Sequence, residues 1–199
     1  MAVAALLAFE WRGWQPGVWV AKPLASACFL WMAVALDAPA TGYGRLVLSG
    51  LALCALGDVL LVPRGRPRAF QAGILAFLLG HLAYAAAFMR LGPAPLAMVA
   101  AAVGMVAFGG AVLHWLGPRL PDDMRKPVRA YVAVISAMVV CGVGATAGRG
   151  PGTVAIGAVA FALSDVAVAR DRFVSPGFVN AAWGLPLYYA AQLVLATTV

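Results

Sequence analysis

Polar interruptions in this chain are short, and between them run apolar stretches about as long as a lipid bilayer is thick. A hydrocarbon core of about 30 Å takes roughly 20 apolar residues in a helix, with a working range of about 17 to 25. By that ruler seven stretches qualify: 18–36, 46–62, 69–89, 95–116, 128–147, 152–169 and 178–199. Residues 1–9 are too short to cross alone and count provisionally as the first of eight helices. Inside a bilayer no water bonds the backbone, so spans of this kind must be helical. The expected fold is all-α: a polytopic transmembrane bundle of seven to eight helices, forming one integral membrane domain over residues 1–199.

Composition agrees. Of the 199 residues 64% are hydrophobic and 11% charged, against roughly 45–50% and about 25% in soluble domains. Disordered chains carry far less apolar material. Twenty-two glycines and thirteen prolines burden a soluble helix but are tolerated in membrane helices, where neighbours re-satisfy freed backbone groups. A net charge of +7 suggests nucleic acid in a soluble protein, but here the basic residues sit between or beside the spans and set topology instead. The loops after spans one, three, five and seven hold Arg12, Lys22, Arg64, Arg66, Arg68, Arg119, Arg125, Lys126, Arg129, Arg170 and Arg172, and the others only Arg45, Arg90 and Arg149. The first set is expected to face the cytoplasm, with Val199 on the opposite side, and the composition suggests a bacterial inner membrane. No cleavable signal peptide is expected, since residues 1–9 lack a basic start and lead into Glu10 and Arg12.

Two halves of the chain carry matching motifs. Lys22-Pro23-Leu24 returns as Lys126-Pro127-Val128, Ala55-Leu56-Gly57-Asp58-Val59 as Ala162-Leu163-Ser164-Asp165-Val166, and Gly80-His81-Leu82-Ala83-Tyr84 as Gly184-Leu185-Pro186-Leu187-Tyr188. The order is kept and the spacing nearly so, as expected of a duplicated four-helix unit with halves at about 1–92 and 93–199. An even number of helices per unit makes the halves parallel, related by an axis along the membrane normal.

Five of the seven acidic residues, Glu10, Asp37, Asp122, Asp123 and Asp171, fall in loops or at span edges, and Asp58 and Asp165 fall within apolar helices. A carboxylate at a helix centre costs about 2.5 to 3.5 kcal/mol on insertion scales, so it turns to the bundle interior and marks a functional pathway. At 1.5 Å per residue both aspartates lie roughly 8 to 9 Å inside the basic edge, Asp58 before Arg64 and Asp165 before Arg170. Two carboxyl groups at one depth can converge on one cavity and hold a single proton between them, one donating it while the other faces a developing cation or activates water. The plainer alternative is that each merely satisfies a buried group such as His81.

Other polar groups at membrane depth are His81 and Tyr84, three apart on one helix face, Tyr131 after the Lys126-Pro127 entry, and Tyr188 and Gln192, four apart in the last span. His114 and the tryptophans 11, 14, 19, 31 and 183 are assigned to the membrane interface or the core. Cys28, Cys54 and Cys141 lack metal or redox spacing and are taken as small packing residues. No GxSxG turn surrounds Ser164, and no HExxH, CxxC, Walker A or GxGxxG motif occurs. No metal or cofactor is expected.

With these residues in view the chain resembles the YhhN family of integral membrane proteins, the lysoplasmalogenases. The matching stretches are Lys22-Pro23-Leu24, Leu56-Gly57-Asp58-Val59-Leu60, residues 73–88 around Gly80-His81 and Tyr84, Val128 with Tyr131, Phe161 with Ser164-Asp165, and Tyr188 with Gln192. They cover nearly the whole chain in order. The departure is the first span, which the family's eight-helix pattern makes longer than residues 1–9.

The resemblance implies hydrolysis of the vinyl ether bond of a lysoplasmalogen to a fatty aldehyde and glycerophosphoethanolamine or glycerophosphocholine. The partners implied are a lysophospholipid, water and the bilayer, with no nucleic acid and no protein partner inferable. A vinyl ether is hydrolysed by protonating its β-carbon; the oxocarbenium ion that results is captured by water, and the hemiacetal collapses to aldehyde and alcohol. An acid, a nearby anion and one water suffice, the logic glycosidases apply to a similar transition state. Asp58 and Asp165 are the expected catalytic pair, with the two roles interchangeable at this level. His81, Tyr84, Tyr131, Tyr188 and Gln192 are expected to line the pocket, and Lys22 or Lys126 to hold the phosphate at its mouth. The rival expectation is a proton-coupled transporter of a small or lipid-like substrate, for which repeated bundles with paired intramembrane carboxylates are equally suited.

Overall fold

Glycine, proline and short polar clusters punctuate the apolar stretches, and the helices start and stop at them. The computed structural model describes residues 1–63 and 65–199. Its α-helices are α1 (Ala2–Arg12), α2 (Gln15–Ala35), α3 (Gly42–Leu60), α4 (Pro67–Met89), α5 (Pro95–Leu116), α6 (Asp122–Ala147), α7 (Thr153–Phe173) and α8 (Phe178–Ala196), with single 3-10 turns at Ala38–Ala40 and Gly117–Arg119. Proline at the first position opens α4 and α5, where its missing N–H is no loss. The Thr41 hydroxyl accepts the Gly44 N–H and caps α3, and Gly13 turns left-handed to end α1. α2, α6 and α8 run on through Pro23, Pro127 and Pro186.

Among the described residues six helices, α2 to α7, are long and apolar enough to cross a membrane. α8, expected as a further span, runs the length of α7 in 19 residues. Its apolarity is diluted by buried Asn180, Tyr188, Tyr189 and Gln192, three of which serve the interior described below. α1, with 11 residues, is about 16 Å long and reaches only half way across a bilayer. Several basic residues placed in loops are helical instead: Lys22 lies two turns into α2, Arg125, Lys126 and Arg129 in the opening turns of α6, and Arg170 and Arg172 in the last turn of α7. Asp122 and Asp123 at the start of α6 and the two arginines at the end of α7 each suit the local helix dipole, which extends both helices beyond their apolar stretches. Arg64 lies outside the described residues. Trp11, Trp14, Trp19, Trp31 and Trp183 all point outward from the bundle.

Helix pairing is repeated in the two halves. α3 packs along α4 as α7 does along α8, α2 against α3 as α6 against α7, and each half reaches into the other through α4 with α6 and α8 with α2. Loops carrying most of the basic residues gather at one end, called here the basic end; at the other, the Tyr43 hydroxyl and Thr198 Oγ1 lie 2.6 Å apart and join α3 to the chain after α8. Phe161 is wholly buried among Phe77, His81, Tyr84 and Tyr188, with ring centroids 4.5 to 6.3 Å away. α5 stands outermost, burying only Gly109 and Leu116.

Small residues let α3 and α4 approach closely, as membrane helices require where no hydrophobic force drives them together. A Cβ at Gly80 would stand 2.9 Å from Cys54 Sγ and 3.2 Å from the Gly50 carbonyl oxygen. Gly80→Val is therefore expected to destabilise the bundle by about 1–3 kcal/mol, read as a lower thermal unfolding midpoint in detergent. Gly104→Ala, on open α5 surface, is expected to leave that midpoint unchanged or raise it.

Candidate active site

Asp58 sits two residues before the end of α3, where its side chain turns inward and is only 3% exposed. Its partners come from two other helices. On α2, Lys22 and Ser26 are four residues apart and so share a face; Lys22 Nζ lies 3.5 Å from Oδ1, and the Ser26 hydroxyl donates to Oδ2 at 2.7 Å. From α8 the Tyr188 hydroxyl donates to the same Oδ2 at 2.8 Å. Behind Tyr188 the donors continue in one direction. Tyr84 OH donates to Gln192 Oε1 at 2.7 Å, and Gln192 Nε2 to Tyr188 OH at 3.1 Å, so a chain from α4 through α8 points its protons toward Asp58.

Asp165, in the middle of α7, has poorer company. The Tyr131 hydroxyl of α6 donates to Oδ2 at 2.6 Å. His81 Nε2 of α4 stands 3.8 Å away, beyond a direct hydrogen bond. Among the described residues no lysine or arginine pairs with Asp165, and its side chain is 17% exposed. The two carboxyls thus occupy equivalent places, each met by the preceding helix of its own half and by the last helix of the other half. Their surroundings differ: a cation and two hydroxyls for Asp58, one hydroxyl for Asp165.

Both line one cavity of about 680 Å³. Lys22, Tyr131, Ser164 and Tyr188 add polar wall near the carboxyls; Phe70, Ile74, Met105, Phe108, Val112, Val132 and Ile135 from α4, α5 and α6 form an apolar branch; Glu10, Asp171, Arg172 and Asn180 line it at the basic end. No residue of the turns at the opposite end takes part.

The expected site residues separate into three groups. Asp58, Asp165, Lys22, Tyr131 and Tyr188 meet at the cavity. His81, Tyr84 and Gln192 are wholly buried and stand behind its wall, supporting Tyr188 and facing Asp165. Lys126 lies on the exposed start of α6, away from the cavity. Lys22, expected at the mouth, is instead drawn inward to Asp58. Ser26 is a partner that sequence reasoning missed; its position one helical turn after Lys22 was the available signal. The Ser164 hydroxyl donates to the Phe161 carbonyl at 2.7 Å, a back-bond within its own helix. No group of histidine, cysteine and carboxylate side chains suited to a metal occurs among the described residues.

The comparisons with known proteins bear on this geometry. The model of the YhhN family matches residues 17–199. The lysoplasmalogenase of Mycobacterium bovis is 36% identical over 180 residues, covering 87% of this chain and 67% of the relative. Human lysoplasmalogenase TMEM86B is 35% identical over 176 residues, covering 86% and 69%, and the pig protein of that name is 31% identical over 187 residues, covering 93% and 77%. No solved structure matches. The match takes in both aspartate-bearing helices and every partner helix around them, and the chain belongs to the YhhN family.

Proposed function

We propose that this protein is a lysoplasmalogenase that hydrolyses the vinyl ether of a lysoplasmenyl phospholipid, ethanolamine or choline, to a fatty aldehyde and the glycerophospho-base, in a bacterial inner membrane with the basic end toward the cytoplasm. The relatives' names support the reaction class. The observation that carries the mechanism is the unequal provision of two carboxyls on one cavity.

Asp58 has what an ionised carboxylate needs: the Lys22 ammonium and hydroxyl protons from Ser26 and Tyr188. Asp165 has one hydroxyl, no paired lysine or arginine among the described residues, and access to the cavity. In this reading Asp165 is the general acid. Its proton passes to the vinyl β-carbon, the double-bond electrons form the new C–H bond, and positive charge develops on the ether carbon and oxygen. The Asp58 carboxylate faces that charge. Water adds to the oxocarbenium carbon and loses a proton to Asp165, restoring the acid; the hemiacetal then collapses as its hydroxyl proton departs and the glycerol oxygen is protonated. The hydrocarbon tail lies in the apolar branch between α4, α5 and α6. Tyr131 orients Asp165, and the Tyr84–Gln192–Tyr188 chain holds Asp58. A cavity whose lining reaches only one end of the bundle favours this reading over a carrier open to each side in turn.

Purified protein in detergent is expected to release aldehyde from lysoplasmenylethanolamine and none from the saturated alkyl ether. Asp165→Asn and Asp58→Asn are each expected to lower kcat by about 10²–10⁴; wild-type rates in either variant would sink the assignment. Removing Lys22 tests the charge on Asp58 without reference to activity. Lys22→Met leaves a buried carboxylate unpaired, a cost of about 3–5 kcal/mol, and is expected to lower the unfolding midpoint. Adding Asp58→Asn to that variant restores most of the loss if Asp58 is ionised and deepens it if Asp58 is neutral.

A further inference from the structure

With Lys22 committed to Asp58 and Lys126 outside the cavity, the guanidinium lining the basic end of the cavity among the described residues is that of Arg172. It stands in the last turn of α7, lines the cavity, and holds its guanidinium over the ring of Phe70 of α4, with its central carbon 4.0 Å from the ring centroid. Among the described residues no carboxylate forms an ion pair with it. Its neighbours are otherwise engaged: Arg170 donates to Asn180 Oδ1, and Asp171 Oδ1 accepts the Gly177 N–H at 2.9 Å and Asn180 Nδ2 at 2.9 Å. A guanidinium held over an aromatic ring and unpaired with a carboxylate has N–H donors to offer, and a planar fork of such donors suits two phosphate oxygens.

We infer that Arg172, held over Phe70, is the phosphate-binding residue of the substrate's head group, so that the phosphodiester of a lysolipid sits at the basic end of the cavity while its reacting carbon lies at Asp165. This rests on the hydrolase reading above. The spacing agrees from both directions. Seven residues of α7 separate Asp165 from Arg172, about 10 Å along a helix. In the substrate seven covalent bonds separate the vinyl β-carbon from phosphorus, roughly 8–9 Å when extended at about 1.2 Å of reach per bond. The same guanidinium would take inorganic phosphate only as a bare ion, without the tail that fills the apolar branch.

Two measurements on the full chain in detergent decide this. For Arg172→Gln the ratio of kcat/KM on lysoplasmenylethanolamine to that on the phosphate-free 1-alkenylglycerol is expected to fall about tenfold or more, with KM rather than kcat carrying the change; Arg125→Gln, on the exposed start of α6, leaves the ratio unaltered. An unaltered ratio in Arg172→Gln would overturn the inference. Binding of the saturated alkyl lysophosphoethanolamine, followed by tryptophan fluorescence, removes the dependence on catalysis. It is expected to weaken about tenfold in Arg172→Gln, to recover in part in Arg172→Lys, and to resist competition from inorganic phosphate. If wild-type protein releases no aldehyde, the hydrolase reading fails, while this binding comparison still decides the subsite. Equal binding by wild type and Arg172→Gln would remove it.

Discussion

A carboxylate surrounded by hydrocarbon has no solvent to bond, so the protein must bring every partner to it, and those partners must arrive from other helices. Asp58 receives an ammonium and a hydroxyl from α2 and a second hydroxyl from α8. One residue thereby fixes the relative rotation of three helices, because only one face of α2 presents Lys22 and Ser26 together. The second layer follows from the first. Tyr188 accepts from Gln192, and Gln192 accepts from Tyr84, so α4 is drawn into the same arrangement. Replacing such a network by apolar side chains often costs nothing in stability, which makes its presence a statement about chemistry more than about folding.

Equivalence of the two halves lies in helix placement rather than in residues. Each aspartate faces a helix of its own half and one of the other, as expected of a parallel repeat about an axis through the bundle. The side chains differ around that plan. Lys22 turns inward to its carboxyl, whereas Lys126 stands outside and Tyr131 serves Asp165 in its place. His81 stands near Asp165, and at the corresponding place in the other half Leu185 lines the cavity. In the function proposed above, such unequal partners let one carboxyl remain an anion while the other holds a proton, as acid–base catalysis demands.

Much of this was legible in the sequence, since hydrocarbon imposes so few options on a chain. Span positions follow from length and apolarity, and Asp58 and Asp165 are conspicuous because a charge in a span needs a reason. Helix ends were harder to read. Arg170 and Arg172 look like loop residues, yet a helix that leaves the apolar layer goes on for as long as its dipole and side chains favour it, and α7 continues to Phe173. α8, expected as a span, is not among the helices apolar enough to cross a membrane, because its own polar residues dilute it. What sequence could not provide was direction: Tyr84 and Gln192 read as pocket residues, and only packing shows them one layer back, holding Tyr188 rather than facing the cavity. The inward turn of Lys22 was hidden for the same reason, because a lysine near a span edge usually reaches outward to the interface.

The exposed position of α5 has a further consequence. This helix buries only two of its residues, yet Met105, Phe108 and Val112 on one side of it wall the apolar branch. A single helix therefore partitions the cavity from the acyl chains of the surrounding leaflet. For an enzyme acting on ether lipids, this sorts traffic by solubility. A tail can slip sideways past α5 without ever meeting water, and a long-chain aldehyde, reactive toward amines in solution, can return the same way into the bilayer. In the function proposed above the glycerophospho-base, too polar for that route, would depart at the basic end. Substrate and products would then part company inside the protein, each leaving into the phase that dissolves it.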